Sequence, residues 1–202
     1  MEQINTPVTV YTESSPNPNS LKFVCEFPLI DGSIDFPSLE SASASPLAQE
    51  LFGSFDFIQR VFIAANFVTV TKTDKEDWFE VAPPIKSFIQ KYLEEKKPVI
   101  DDKALEELKT KKEALAKASE ALGTDNETIA KIQVVLDDYI KPAVESDGGA
   151  ISLHSFENGV VKVLLQGSCS GCPSSTMTLK GGIENLLRKM VPEVKEVIAE
   201  GV

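Results

Sequence analysis

The chain has 202 residues, of which 42% are hydrophobic and 25% charged, with 11 glycines and 12 prolines. That length and composition predict two small globular domains and exclude a disordered or fibrous chain. A formal charge of -11 and a pI near 4.6 make most of the surface repel phosphate backbones and anionic lipid, so neither nucleic acid nor membrane is expected as a partner.

The charge deficit runs -6 over residues 1–97, -1 over 98–124 and -4 over 125–202, so the total hides no basic patch. The start, MEQINTPVTV, has no apolar signal core and no Arg-rich amphipathic pattern, which gives the expectation of a cytoplasmic protein. The longest uncharged run, residues 163–179, is rich in Gln, Ser, Gly and Cys and reads as no membrane span.

In chain order, VTVYT at 8–12 and LKFVCEF at 21–27 read as strands joined by the turn-rich SSPNPNS, a hairpin with a long loop. Ser45 and Pro46 read as the N-cap and first residue of a short helix that stops at Gly53. Residues 57–64 and 67–72 read as two strands around a tight turn at Ala65-Asn66. A helix is expected from Pro83-Pro84, with Ile85, Phe88, Ile89, Tyr92 and Leu93 as its apolar face. This makes a first domain, residues 1–97, of order ββαββα. On the second strand Cys25 alternates with Phe23 and Phe27 and reads as a buried small hydrophobe. Trp78 and Phe79, beside a charged stretch, either cap a core or anchor a client protein.

Residues 98–124 carry five lysines and six acidic residues around a thin leucine stripe, and read as a charged, helical linker. The last domain, residues 125–202, opens with a helix from Asn126 that Pro142 and the SDGG turn at 146–149 close off. Residues 151–156 and 160–165 form a hairpin around Asn158-Gly159. A helix over 173–190 and a last strand over 194–199 complete the order αββαβ. The fold class is therefore α+β, two small α/β sandwich domains joined by the linker.

Cys169 and Cys172 lie in GSCSGCPSS, between a strand and a helix that Pro173 opens. A helix N-terminus favours a thiolate by only about 0.3–1 kcal/mol, less than one pKa unit. A bound metal ionises thiols far more strongly. Three readings compete. A thiol-disulfide oxidoreductase of thioredoxin type fits the strand–CxxC–helix context, but only 30 residues follow Cys172, too few for that fold's remaining strands and last helix. A zinc module needs four ligands and would have to recruit Cys25 and His154, a mid-strand residue with a structural role. An iron–sulfur cluster wants four thiolates where the motif offers two, so half a site implies two chains meeting on a two-fold axis. No charged residue falls between Lys162 and Lys180, which argues against acid–base catalysis beside the pair. Met177 and Leu179, on the helix that follows, read as packing.

The stretch ESDGGAISLHSFENGVVKVLLQGSCSGCPSSTMTLKGGIENLLRKMVPEVKEV resembles the C-terminal domain of the NifU family, Nfu type. SSPNPNSLKFV, SPLAQELF and VFIAANFVTVTK resemble the N-terminal domain of its two-domain members. The resemblance implies a non-enzymatic scaffold or carrier that binds a labile 4Fe-4S cluster between two subunits and delivers it to apo-proteins. It also implies an upstream cluster donor, and Cys169 and Cys172 match the ligand positions. A 2Fe-2S cluster would use the same four thiolates. Ala150 stands where relatives often carry an acidic residue after DGG, which bears on turn stability or partner contacts.

Overall fold

The computed structural model describes residues 8–101, 103, 104, 106, 110, 125–170 and 173–201. The chain divides into two compact units, Met1–Leu105 and Glu106–Val202.

The first unit is built on a five-stranded antiparallel sheet in the order β1-β2-β5-β4-β3. Its strands are β1 Val10–Ser14, β2 Ser20–Cys25, β3 Ser33–Phe36, β4 Ile58–Ala64 and β5 Phe67–Lys72. Four of these match the expected strands to within a few residues. The fifth, β3, adds an edge: its four residues pair with β4 from Ser33↔Ala64 to Phe36↔Val61. Beside it an Arg60–Asp35 ion pair at 2.7 Å holds the carboxylate, 3% exposed, against the sheet. Cross-strand registers stack Phe23 on Val68 and Val68 on Ile63, so the branched and aromatic residues of three strands make one continuous core row.

Helix α1, Pro46–Ser54, starts as expected, with Ser45 as N-cap and Pro46 in the first turn. The Ser45 hydroxyl accepts from the Ala48 amide at 3.1 Å and donates to the Val99 carbonyl at 2.6 Å. Tyr92 donates to the Pro98 carbonyl, the Asp101 amide to Ala44, and Ile100 is buried. These bonds carry the first unit past residue 97, where the linker was expected to begin. Ser45→Ala, which removes a cap and leaves the half-buried Val99 carbonyl without its hydroxyl, is expected to cost about 2 kcal/mol in urea unfolding.

Helix α2, Trp78–Glu94, begins five residues before the expected Pro83. The Asp77 carboxylate caps it from outside, accepting from the Phe79 amide at 2.9 Å. The Trp78 indole donates to the Pro18 carbonyl at 2.9 Å, so the first turn is held from both sides, ahead of the two prolines in the second turn. Val81, Ile85, Ile89, Tyr92 and Leu93 form its buried face. Within the expected linker, residues 103, 104, 106 and 110 are helical; the remainder of 102–124 lies outside the described residues.

The second unit packs helices on a three-stranded sheet, β6-β7-β8. Helix α3, Asp125–Val135, passes through a π turn at Leu136–Ile140 into helix α4, Lys141–Ser146. Pro142 thus does not end the helix. Its ring lacks an N–H and crowds the carbonyl four residues back, and the wider turn just before it takes up that mismatch. Strands β6, Gly149–Glu157, and β7, Val160–Gly167, pair antiparallel around Asn158 and Gly159, both at positive φ as the hairpin turn requires. Helix α5, Pro173–Met190, then leads to β8, Glu196–Gly201, which lies parallel to β7. Ile132, Leu136, Val144, Val161, Leu165 and Leu187 lie in its core.

Candidate metal centre

The loop after β7 carries Cys169 and is shaped by the turn before β6. Gly167 takes φ +68 at the strand end and Gly148 takes φ +83 in the turn, conformations that glycine adopts without steric cost. The Ser168 amide donates to the Gly148 carbonyl at 3.3 Å and its hydroxyl donates to the Asp147 carbonyl. The Ser170 amide turns back to the Gly167 carbonyl at 3.1 Å. Gly149 sits against Cys169 so closely that a Cβ there would stand 3.0 Å from the sulfur and 2.6 Å from the Gln166 carbonyl oxygen. The SDGG segment, read from the sequence as a helix stop, lies directly against the cysteine loop. The spacing of DGG and GSC on two strands of one hairpin was the available sign of it.

Cys169 is 6% exposed and belongs to the core cluster of its unit. The missing Cβ of Gly149 lets its sulfur sink into the packing. Cys172 and Gly171 lie outside the described residues, as do the side chains of Met177 and Leu179. Among the described residues no group of three or more His, Cys, Asp or Glu side chains converges as a metal site.

His154 is exposed, at the bulge where the β6–β7 register shifts between Leu153 and Ser155. Cys25 is 1% exposed in the first sheet, the buried hydrophobe its alternation predicts. Burial pushes its thiol from 9.0 up to about 11, which makes it a poor metal ligand at neutral pH. Since the unfolded chain loses this proton first, the stability it contributes is full below about pH 9 and falls as pH rises toward about 11. Urea unfolding at about pH 8 and about pH 10.5 should show a loss that Cys25→Ala lacks.

Fold and site define a two-domain α+β protein with a CxxC loop set between a strand and a helix. The family model for the NifU-like domain matches residues 132–198, and the model for the N-terminal domain of the scaffold protein Nfu/NifU matches residues 10–96. The chain is 42% identical over 194 residues to NifU-like protein 4, mitochondrial, of Arabidopsis thaliana, covering 95% of this chain and 65% of the relative. It is 37% identical over 190 residues to the human NFU1 iron-sulfur cluster scaffold homolog, mitochondrial, covering 93% and 70%. A solution structure of a NifU-like protein from Saccharomyces cerevisiae aligns with 50% of this chain and 91% of its own, at 24% identity and a TM-score of 0.44. The chain belongs to the NifU family and carries both domains of its Nfu members.

The cytoplasmic expectation is corrected by these comparisons, because both relatives are named mitochondrial. A targeting leader is a separable segment, so the composition of the folded part holds no physical record of the compartment.

Proposed function

We propose that this protein is an iron–sulfur cluster scaffold or carrier, not an enzyme. Two copies take a 4Fe-4S cluster between them, bound by Cys169 and Cys172 of each, and pass it from an upstream donor to apo-proteins. The observation that carries the reading is the lone CxxC, placed between β7 and α5 of a NifU-like domain. Two thiols are half of what a cluster requires, and a symmetric pair of chains supplies the other half.

Each thiol gives up its proton as it binds iron, and an apo-protein's thiolates replace them in turn when the cluster leaves. The burial of Cys169 means that loading must first turn its side chain outward. The zinc reading loses Cys25 to the core of the first sheet. The mitochondrial names of its relatives point to the same setting for this work.

Anaerobic loading with ferrous iron and sulfide tests the proposal. It should yield a brown protein with about two irons and two sulfides per chain and a doubled mass in solution. A 2Fe-2S cargo would give about one iron per chain, and a folded, colourless monomer would overturn the reading.

A further inference from the structure

Helix α2 breaks the rule of its own amphipathic pattern. Its inner face is apolar, yet Phe79, in its first turn, is 93% exposed, well above any other large hydrophobic side chain among the described residues. An aromatic ring left wholly in water is the informative kind of exception. Phe79 and Pro83 are four residues apart and share one helix face, and Pro83 and Pro84 are both exposed.

The face is rigid. Trp78, next to Phe79, is fixed by its bond to the Pro18 carbonyl and lies over the Lys72 ammonium at 5.4 Å from the ring centre. Lys72 is itself buried, with its nitrogen 3.2 Å from the Thr73 carbonyl. With Trp78 tied inward and Asp77 capping the turn, Phe79 is presented outward on a pinned backbone. The ordering cost that a binding surface must meet is then small. The prolines also remove the amide donors that the Phe79 and Glu80 carbonyls would meet four residues on. In the chain beside Phe79, residues 74–80 hold Asp74, Glu76, Asp77 and Glu80 against Lys75.

We propose that this face, Phe79 with Pro83 and the surrounding acidic side chains, docks a partner protein that offers an apolar pocket rimmed by lysine or arginine. Charge selects that occupant: the same acidic segment, 74–80, on a second copy would meet this face with like charge, whereas a basic rim complements Asp77 and Glu80 and can donate to the two carbonyls. The proposal does not depend on the cluster cargo.

The test uses the full chain with p-benzoylphenylalanine at position 79, irradiated in extract of the cells that make it. The captured protein is identified, purified and titrated with unmodified chain. The expected result is a discrete product cross-linked beside lysine or arginine. Its purified form should bind Phe79→Ala at least about 30-fold more weakly. Association should slow in Glu80→Lys and at high salt.

Phe79→Ala should keep its unfolding midpoint and load as much iron as the parent, which separates lost docking from lost folding or lost cargo. The absence of a discrete product, a product that is a second copy of this chain, or a partner that binds Phe79→Ala equally well would overturn the proposal. Should the parent fail to load iron, the cargo reading falls while the docking result stands.

Discussion

Cys172→Ala and Cys169→Ser proteins are expected to leave anaerobic iron and sulfide loading colourless and monomeric, with less than about a tenth of the iron held by the parent. Because the proposed pair of chains is symmetric, one substitution per chain removes two of the four thiolates. The remaining two cannot close the coordination of a cluster. No neighbour compensates, since residues 163–179 contain no charged side chain and the described residues hold no group of three or more ligating side chains. The readouts are iron and sulfide content, the visible charge-transfer band and mass in solution. Retention of two irons per chain by either variant would show that the ligands lie elsewhere. A thiol-disulfide oxidoreductase would behave differently: its activity would need no iron and would appear in the unloaded monomer.

Gly149→Ala is expected to lose about 3 kcal/mol of stability in the second unit and most of its loaded iron. The added methyl would meet the Gln166 carbonyl oxygen at 2.6 Å and the Cys169 sulfur at 3.0 Å. The first is backbone within the β6–β7 ladder, where Gly149 pairs with Gly167 and Ala150 with Gln166. Relief therefore has to come from opening that end of the ladder, and the Ser168 bonds to Asp147 and Gly148 go with it. A shift of more than about 10 °C in the unfolding midpoint is expected for a domain of this size. Gly182→Ala is the control. Gly182 lies within α5, and among the described residues a methyl group added there would meet no atom outside the helix's own backbone within 4 Å, so alanine should be neutral or stabilising by up to about 1 kcal/mol. Equal losses in the two variants would remove the special role of Gly149.

Much of the fold could be read along the chain. Alternating branched and aromatic residues marked β1, β2, β4 and β5. Ser45-Pro46 marked the start of α1, and Asn158-Gly159 marked the hairpin of the second unit. The apolar spacing of Ile85, Ile89, Tyr92 and Leu93 marked the buried face of α2. The misses have local causes. β3 has only four residues, one of them Asp35, and becomes a strand because β4 offers it an edge and Arg60 a counter-charge. Pro83 and Pro84 resembled a helix start, but Asp77 and Trp78 tie down an earlier one. Pro142 resembled a stop, but the π turn ahead of it lets the helix run on.

The division follows from the range over which each signal acts. Residue type, the CxxC spacing, the acidic balance and the periodicity of strands and helices are properties of neighbours in the chain, and the sequence alone determined them. Only the tertiary structure decided that Asp147 and Ser168, 21 residues apart, share a hydrogen bond, that Gly149 makes room for Cys169, and that Phe79 faces water. Each depends on packing between segments that chain-local patterns do not relate. A close approach such as that between Gly149 and the cysteine sulfur, where an added Cβ would stand 3.0 Å away, is set by the packed hairpin as a whole.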